Sequence, residues 1–154
     1  MPKSPAPTEH SDPFNLGRFV SAQQSIYGTV LAELTSGRKR THWMWFIFPQ
    51  IAGLGFSAIS KRYAIKSKAE AEHYLGHPVL GARLAECAEV ILALNGRSAP
   101  DIFDSPDHMK LQSSMTLFAA VTQPGSLYAQ VLQKYFQGQP DSATLSILAQ
   151  LEKG

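Results

Sequence analysis

Residues 41–50, Thr41-His42-Trp43-Met44-Trp45-Phe46-Ile47-Phe48-Pro49-Gln50, decide how the rest of the chain must fold. The run is apolar on every side, so periodicity alone fits a short buried strand as well as a buried helix. No other stretch alternates convincingly to supply a sheet partner, and Thr41 is a reasonable cap. The expectation is therefore a buried helix closed by Pro49, which cannot donate to a helical ladder.

Working outward, the neighbouring segments read as helices too. Asp12-Pro13 pairs a capping side chain with proline at the first helical position, and predicts a long helix to about Ser36, stopped by Gly37. Phe19, Ile26, Val30 and Leu34 form its apolar stripe, with Gln23 and Glu33 on or beside it. Polar groups so placed need partners or a cavity, since an unpaired buried one costs about 1 to 3 kcal/mol. Beyond residue 50, Gly53-Leu54-Gly55 reads as a turn without the spacing of a phosphate-binding glycine loop, followed by a short helix through Ala58, Ile59 and Tyr63. Ser67 and Glu70 have capping-box spacing ahead of a helix from Lys68 to Leu75. His77-Pro78 restarts the chain into a helix that ends at Asn95-Gly96, and Arg83 projects from the face carrying Val79, Cys87, Val90 and Leu94. Ser105-Pro106-Asp107 opens a helix over 106–121, and shorter helices follow at about 126–137 and 141–152. The predicted class is all-α, a compact single domain of about seven helices over residues 12–154, with residues 1–11 as a flexible tail.

Composition narrows the function classes. The 154 residues are 44% hydrophobic and 17% charged, the balance of one globular domain with a single core. Net charge is +2 and the one basic cluster, Arg38-Lys39-Arg40, is too short to track a nucleic-acid backbone, so nucleic acid is not an expected partner. No apolar run approaches the roughly 18 to 20 residues of a membrane span, and no signal-like apolar core stands at the N-terminus. A cytoplasmic location without membrane contact is expected. Cys87 is the lone cysteine, which rules out an internal disulfide, and its apolar neighbours Leu84, Val90 and Ile91 mark it as a small buried hydrophobe. His42, His73, His77 and His108 are scattered without metal-binding spacing, and no motif calls for a cofactor.

Two constellations carry chemical interest. In Gly37 to Gln50, a cationic cluster, His42, Trp43 and Trp45 lie within a few residues, and aromatic faces beside lysine or arginine hold planar, phosphate-bearing ligands by stacking and charge pairing. The competing reading is that these aromatics simply fill the core. In the helix at 106–121, Asp107, Lys110 and Ser114 share one stripe, either as an internal ion pair or as part of a site. Gln50 has an amide able to bond loop backbone or read a ligand edge, and Arg83 completes a set with both charge signs. The expected catalytic residues are Glu33, His42 and Asp107, and the expected ligand contacts are Lys39, Trp43, Trp45, Gln50, Arg83, Lys110 and Ser114.

The segments ELTSGRKRTHWMWFIFPQIAGLGFS, EAEHYLGHPVLGARL and DIFDSPDHMKLQSSMTLF together resemble the domain-of-unknown-function family 1810 over most of residues 14–136. The resemblance implies a single multihelical domain and supplies no catalytic residues. It places Glu33, Gly37, Lys39, His42, Trp43, Trp45, Pro49, Gln50, Arg83, Asp107, Lys110, Ser113, Ser114 and Thr116 at family-like positions, while Asp104 stands where the usual pattern has glycine. A calpastatin label sometimes attached to such chains is rejected, because an inhibitor of that kind is long, disordered and repeat-bearing. Two functional expectations follow. One is a domain binding a phosphate-bearing nucleotide or ADP-ribose-like small molecule, with glycosidic hydrolysis by Glu33 or Asp107 as its enzymatic form. The other is an interaction module, its polar groups paired internally, that binds a protein or a second copy of itself.

Overall fold

The Asp12 carboxylate accepts hydrogen bonds from the backbone N–H groups of Leu16 (2.7 Å) and Gly17 (2.9 Å), and so starts the first helix of a computed structural model that describes residues 12–153. The expected tail at 1–11 lies outside the described residues. Among the described residues ten helices follow one another: α1 Gly17–Gln24, α2 Tyr27–Thr35, α3 Met44–Ile47, α4 Ala58–Arg62, α5 Lys68–Gly76, α6 Leu80–Ala93, α7 Ala99–Phe103, α8 Asp107–Ala120, α9 Leu127–Phe136 and α10 Ser142–Lys153. The all-α class is as the sequence implies, and the count exceeds the expected seven for two main reasons. The predicted first helix breaks at Ser25-Ile26, and α7 was not anticipated.

The break has a cause in polar satisfaction. Gln23, 1% exposed, donates its amide to the Phe46 carbonyl (2.7 Å) and the Tyr74 hydroxyl (3.2 Å). That inward amide is bonded, and the chain restarts as α2 with a buried face of Val30, Glu33 and Leu34. At its end, Gly37 (φ +82°) closes a Schellman motif in which Arg38 N–H bonds the Glu33 carbonyl and Gly37 N–H that of Leu34.

The segment 41–50 forms only one helical turn, α3. Pro49 disfavours helical backbone at the residue before it, and Phe48 accordingly sits at φ −122°, ψ 73°. From there the chain runs extended past Ile65: Ile65 N–H bonds the Gln50 carbonyl (2.8 Å) and Ala52 N–H bonds that of Ile65 (2.7 Å). This is an isolated parallel bridge between Ile51 and Ile65, and no strand forms among the described residues.

Side-chain caps set the remaining starts. Ser57, Ser67, Ser98 and Ser126 each accept a backbone N–H three residues on, and Ser98 with Asp101 completes a capping box. At 67–70 only half of the box forms, because the Glu70 carboxylate turns to Lys66 N–H (2.9 Å) and Arg18 (2.9 Å). Glycine is needed at Gly81, where a Cβ would stand 2.0 Å from the Leu75 carbonyl oxygen. Helix α8 is the centre: residues 113–118 are all buried, as befits a stretch packed among α5, α7, α9 and α10. Trp43, Phe48 and Phe103 fill the core near one end, while Phe19, Tyr74 and Phe118 fill its middle. Each such burial contributes about 1.5 to 3 kcal/mol. Among the described residues no helix is long and apolar enough to cross a membrane.

Candidate functional site

The loop between α2 and α3 is shaped by one buried carboxylate. Glu33, 8% exposed, accepts hydrogen bonds from Arg40 N–H (2.8 Å), Thr41 N–H (3.1 Å), the Thr41 hydroxyl (2.8 Å) and the Trp43 indole N–H (2.9 Å). Burial pushes the Glu33 carboxyl upward, but these four donors outweigh it and hold the group below the usual carboxylate range. Its oxygens are taken up and it stays ionised, so it has no proton to give near neutral pH. The expectation of Glu33 as a catalytic acid or base gives way to a positioning role: it folds the loop that presents Lys39, Arg40 and His42.

Lys39 is anchored from behind by its own N–H on the Ile102 carbonyl (2.7 Å). Its ammonium reaches the Asp107 carboxylate at 2.9 Å, and Lys110 reaches the other oxygen at 3.3 Å. Each of the two ammonium groups also lies over a tryptophan, Lys39 at 5.2 Å from the Trp43 ring and Lys110 at 4.9 Å from the Trp45 ring. Asp107 occupies the first turn of α8, where the helix dipole favours a negative charge. Arg38 pairs with Asp104 (3.4 Å) at the rim. Arg38, Lys39 and Lys110 thus pair with two carboxylates, while Arg40 lines the basic depression with no ion-pair partner among the described residues.

Three adjoining depressions surround this cluster. A basic one is lined by Lys39, Arg40, His42, Trp45 and the turn from Asp104 to Asp107. A second, flanked by Trp45 and Gln50, has Leu54 and Tyr63 in its lining. The third contains Gln50, Ser60, Lys110, Ser113 and Asp141. Trp45, half-buried, is shared by the first and second, and Gln50 by the second and third. His42 is exposed at the rim.

The structure therefore brings together Lys39, His42, Trp45, Gln50, Asp107 and Lys110 from the sequence-predicted set. It does not bring in the rest. Trp43 is 2% exposed and bonded to Glu33, so it backs the loop instead of facing a ligand. Ser114 is fully buried with an unpartnered hydroxyl and lines none of the three depressions. Arg83 belongs to a different cluster, donating to the Gln23 amide oxygen (3.1 Å) with its guanidinium 4.8 Å from the Tyr27 ring. There Tyr27 donates to Glu86 (2.6 Å), and burial, reinforced by that bond, raises its hydroxyl pKa. Burial likewise pushes the Cys87 thiol up to about 12, against the pull of its contact with Tyr27, so Cys87 is no nucleophile near neutral pH.

The family model described as Protein of unknown function (DUF1810) matches residues 13–148. This chain belongs to the DUF1810 family. The crystal structure of the conserved hypothetical protein Rv1873 from Mycobacterium tuberculosis is 50% identical, covers 90% of this chain and 99% of its own, and superposes with a TM-score of 0.88. None of the curated proteins compared matches the chain. Sequence reasoning took Arg40 only as part of a cationic cluster and missed Leu54, Ser60, Tyr63 and Asp141 as lining residues of the three depressions. Asp141 follows Pro140 and accepts from Thr144 N–H at 3.1 Å as the α10 cap. That cap signal was readable, but its proximity to Lys110 arises only from tertiary packing.

Proposed function

We propose that this protein binds a phosphate-bearing, ring-containing small molecule of the nucleotide or ADP-ribose type. One observation carries the reading: Trp45 stands half-buried between the basic depression and its neighbour, with the Lys110 ammonium 4.9 Å from its ring and Lys39 and Arg40 beside it. Such a wall offers stacking to a ring and charge pairing to a phosphate at adjacent points. Arg40, which lines the basic depression and has no ion-pair partner among the described residues, favours an anion. Binding is better supported than turnover: of the three residues expected to do acid–base work, only His42 and Asp107 line the basic depression, and Asp107 is clamped between two lysines.

The test is thermal unfolding of the full chain with ADP-ribose, ADP or inorganic pyrophosphate at millimolar concentration. A rise in the midpoint is expected with each, because a ligand that binds only the folded state stabilises it by mass action. Trp45→Ala should weaken the response to ADP and ADP-ribose. No rise with any of the three would remove the proposal.

A further inference from the structure

We infer that Gln50 selects the ring of that ligand, reading an edge that carries one hydrogen-bond donor beside one acceptor, as an aminopurine does. The inference rests on the phosphate-binding reading above and adds the chemistry of the ring. Among the described residues the Gln50 side-chain amide has no hydrogen-bond partner, although the residue is half-buried and lines two depressions at once. An amide supplies one carbonyl acceptor and two N–H donors, so its free face matches a ring edge of mixed character.

The backbone that carries the amide is held in place. On either side of the bridge, the Gln50 carbonyl accepts from Ile65 N–H (2.8 Å) and Ala52 N–H bonds back to Ile65 (2.7 Å), while Pro49 restricts the backbone before it. A fixed backbone removes that part of the ordering cost of binding and leaves only the side-chain rotamers to be set. The surroundings suit a flat ring: Trp45 is on one flank, with Leu54 and Tyr63 also in the lining. Gly55 lets the lining loop pack closely on Ser60, since a Cβ there would come within 2.7 Å of the Ser60 hydroxyl oxygen.

Size decides which part of the ligand sits here. The depression encloses about 190 Å³, below the roughly 300 to 1,000 Å³ of pockets that enclose a whole drug-sized ligand. It takes a heterocycle and leaves the phosphate outside. Trp45 is the shared wall with the basic depression, so a ring against Gln50 puts its phosphate toward Lys39 and Arg40.

The experiment titrates the full chain by calorimetry with AMP, with purine riboside 5′-monophosphate, which lacks the amino group, and with ribose 5-phosphate. Expected is AMP binding at least about tenfold tighter than the des-amino analogue, because a site built to bond a polar group rejects the analogue without it. Gln50→Leu should abolish that gap, while Arg83→Met, outside the site, keeps it. Equal affinity of wild-type protein for AMP and the analogue overturns the inference without any variant being needed. So does a gap that survives in folded Gln50→Leu. Ribose 5-phosphate binding as tightly as AMP also overturns it while leaving the phosphate-binding reading intact, and absence of binding by all three overturns both.

Discussion

Glu33 concentrates four hydrogen bonds on one buried carboxylate, and the consequence is visible at the level of a single substitution. A glutamine there keeps one oxygen acceptor and turns an amide N–H₂ toward donors, so at least part of the set is lost and some donors meet like groups. Glu33→Gln should lower stability by about 2 to 4 kcal/mol, measured by denaturant unfolding at neutral pH. The pH dependence has a definite sign. Because the folded carboxyl lies below its unfolded value of about 4.3, its contribution is fully present above that pH and is lost as pH falls through the lower folded value. The variant lacks that part of the acid limb. A Glu33→Gln protein as stable as wild type, with the same acid limb, would show that the loop is held by something else. Glu33 was legible as an inward polar residue needing partners. Which partners was not, because three of its four donors come from backbone and hydroxyl groups that no side-chain pattern reports.

At the scale of elements, the junction between α7 and α8 carries local strain. Asp104 lies at φ 60°, ψ 172°, a region nearly reserved for glycine and costing other residues on the order of 1 to 3 kcal/mol. Its ion pair with Arg38 is exposed and 3.4 Å long, and so offsets little of that. Asp104→Gly should therefore raise stability by about 1 kcal/mol even after the added freedom of glycine in the unfolded chain. Thermal and denaturant midpoints check this, and a decrease in either would mean that the carboxylate contributes more than its geometry suggests. The sequence marked this position as a departure from the glycine of related chains, and the backbone supplies the reason that glycine suits it. Some local signals were read, with Ser67 and Gly37 marking their helix ends, whereas the Ser98–Asp101 capping box that starts α7 was a local signal that went unread. The end of α3 at Pro49 was readable, but its late start and the break before α2 were not. Both go with side-chain bonds that cross between elements, from Glu33 to Arg40, Thr41 and Trp43 and from Gln23 to Phe46, for which no local propensity speaks.

Across the whole molecule, inward polar residues that looked equivalent along the chain sort into two separate clusters. Lys39, Asp107 and Lys110 gather around Trp45, whereas Arg83 joins Gln23 and Tyr27 on the α1, α2 and α6 side. Helix periodicity assigns a residue to a face of its own helix and says nothing about which faces meet, so this division needed the tertiary structure. It also supplies a test of how the molecule is partitioned. Arg83→Met removes one hydrogen bond and a cation–π contact while keeping apolar bulk, and Gln23 retains its bonds to Phe46 and Tyr74; the loss should be about 1 to 2 kcal/mol. Saturating ADP-ribose at about 100 times its Kd should stabilise wild type by about 2.7 kcal/mol, a rise of about 5 to 10 °C in Tm for a chain of this size. Arg83→Met should show the same rise from its own lower baseline, because Arg83 reaches the segment beside the basic depression only through Gln23, which keeps its own bond to Phe46 in the variant. Lys39→Met should show little of it, having lost an ammonium that lines that depression. An Arg83→Met protein that folds yet no longer responds to the ligand would place Arg83 in the site, and the two clusters would then have to be treated as one.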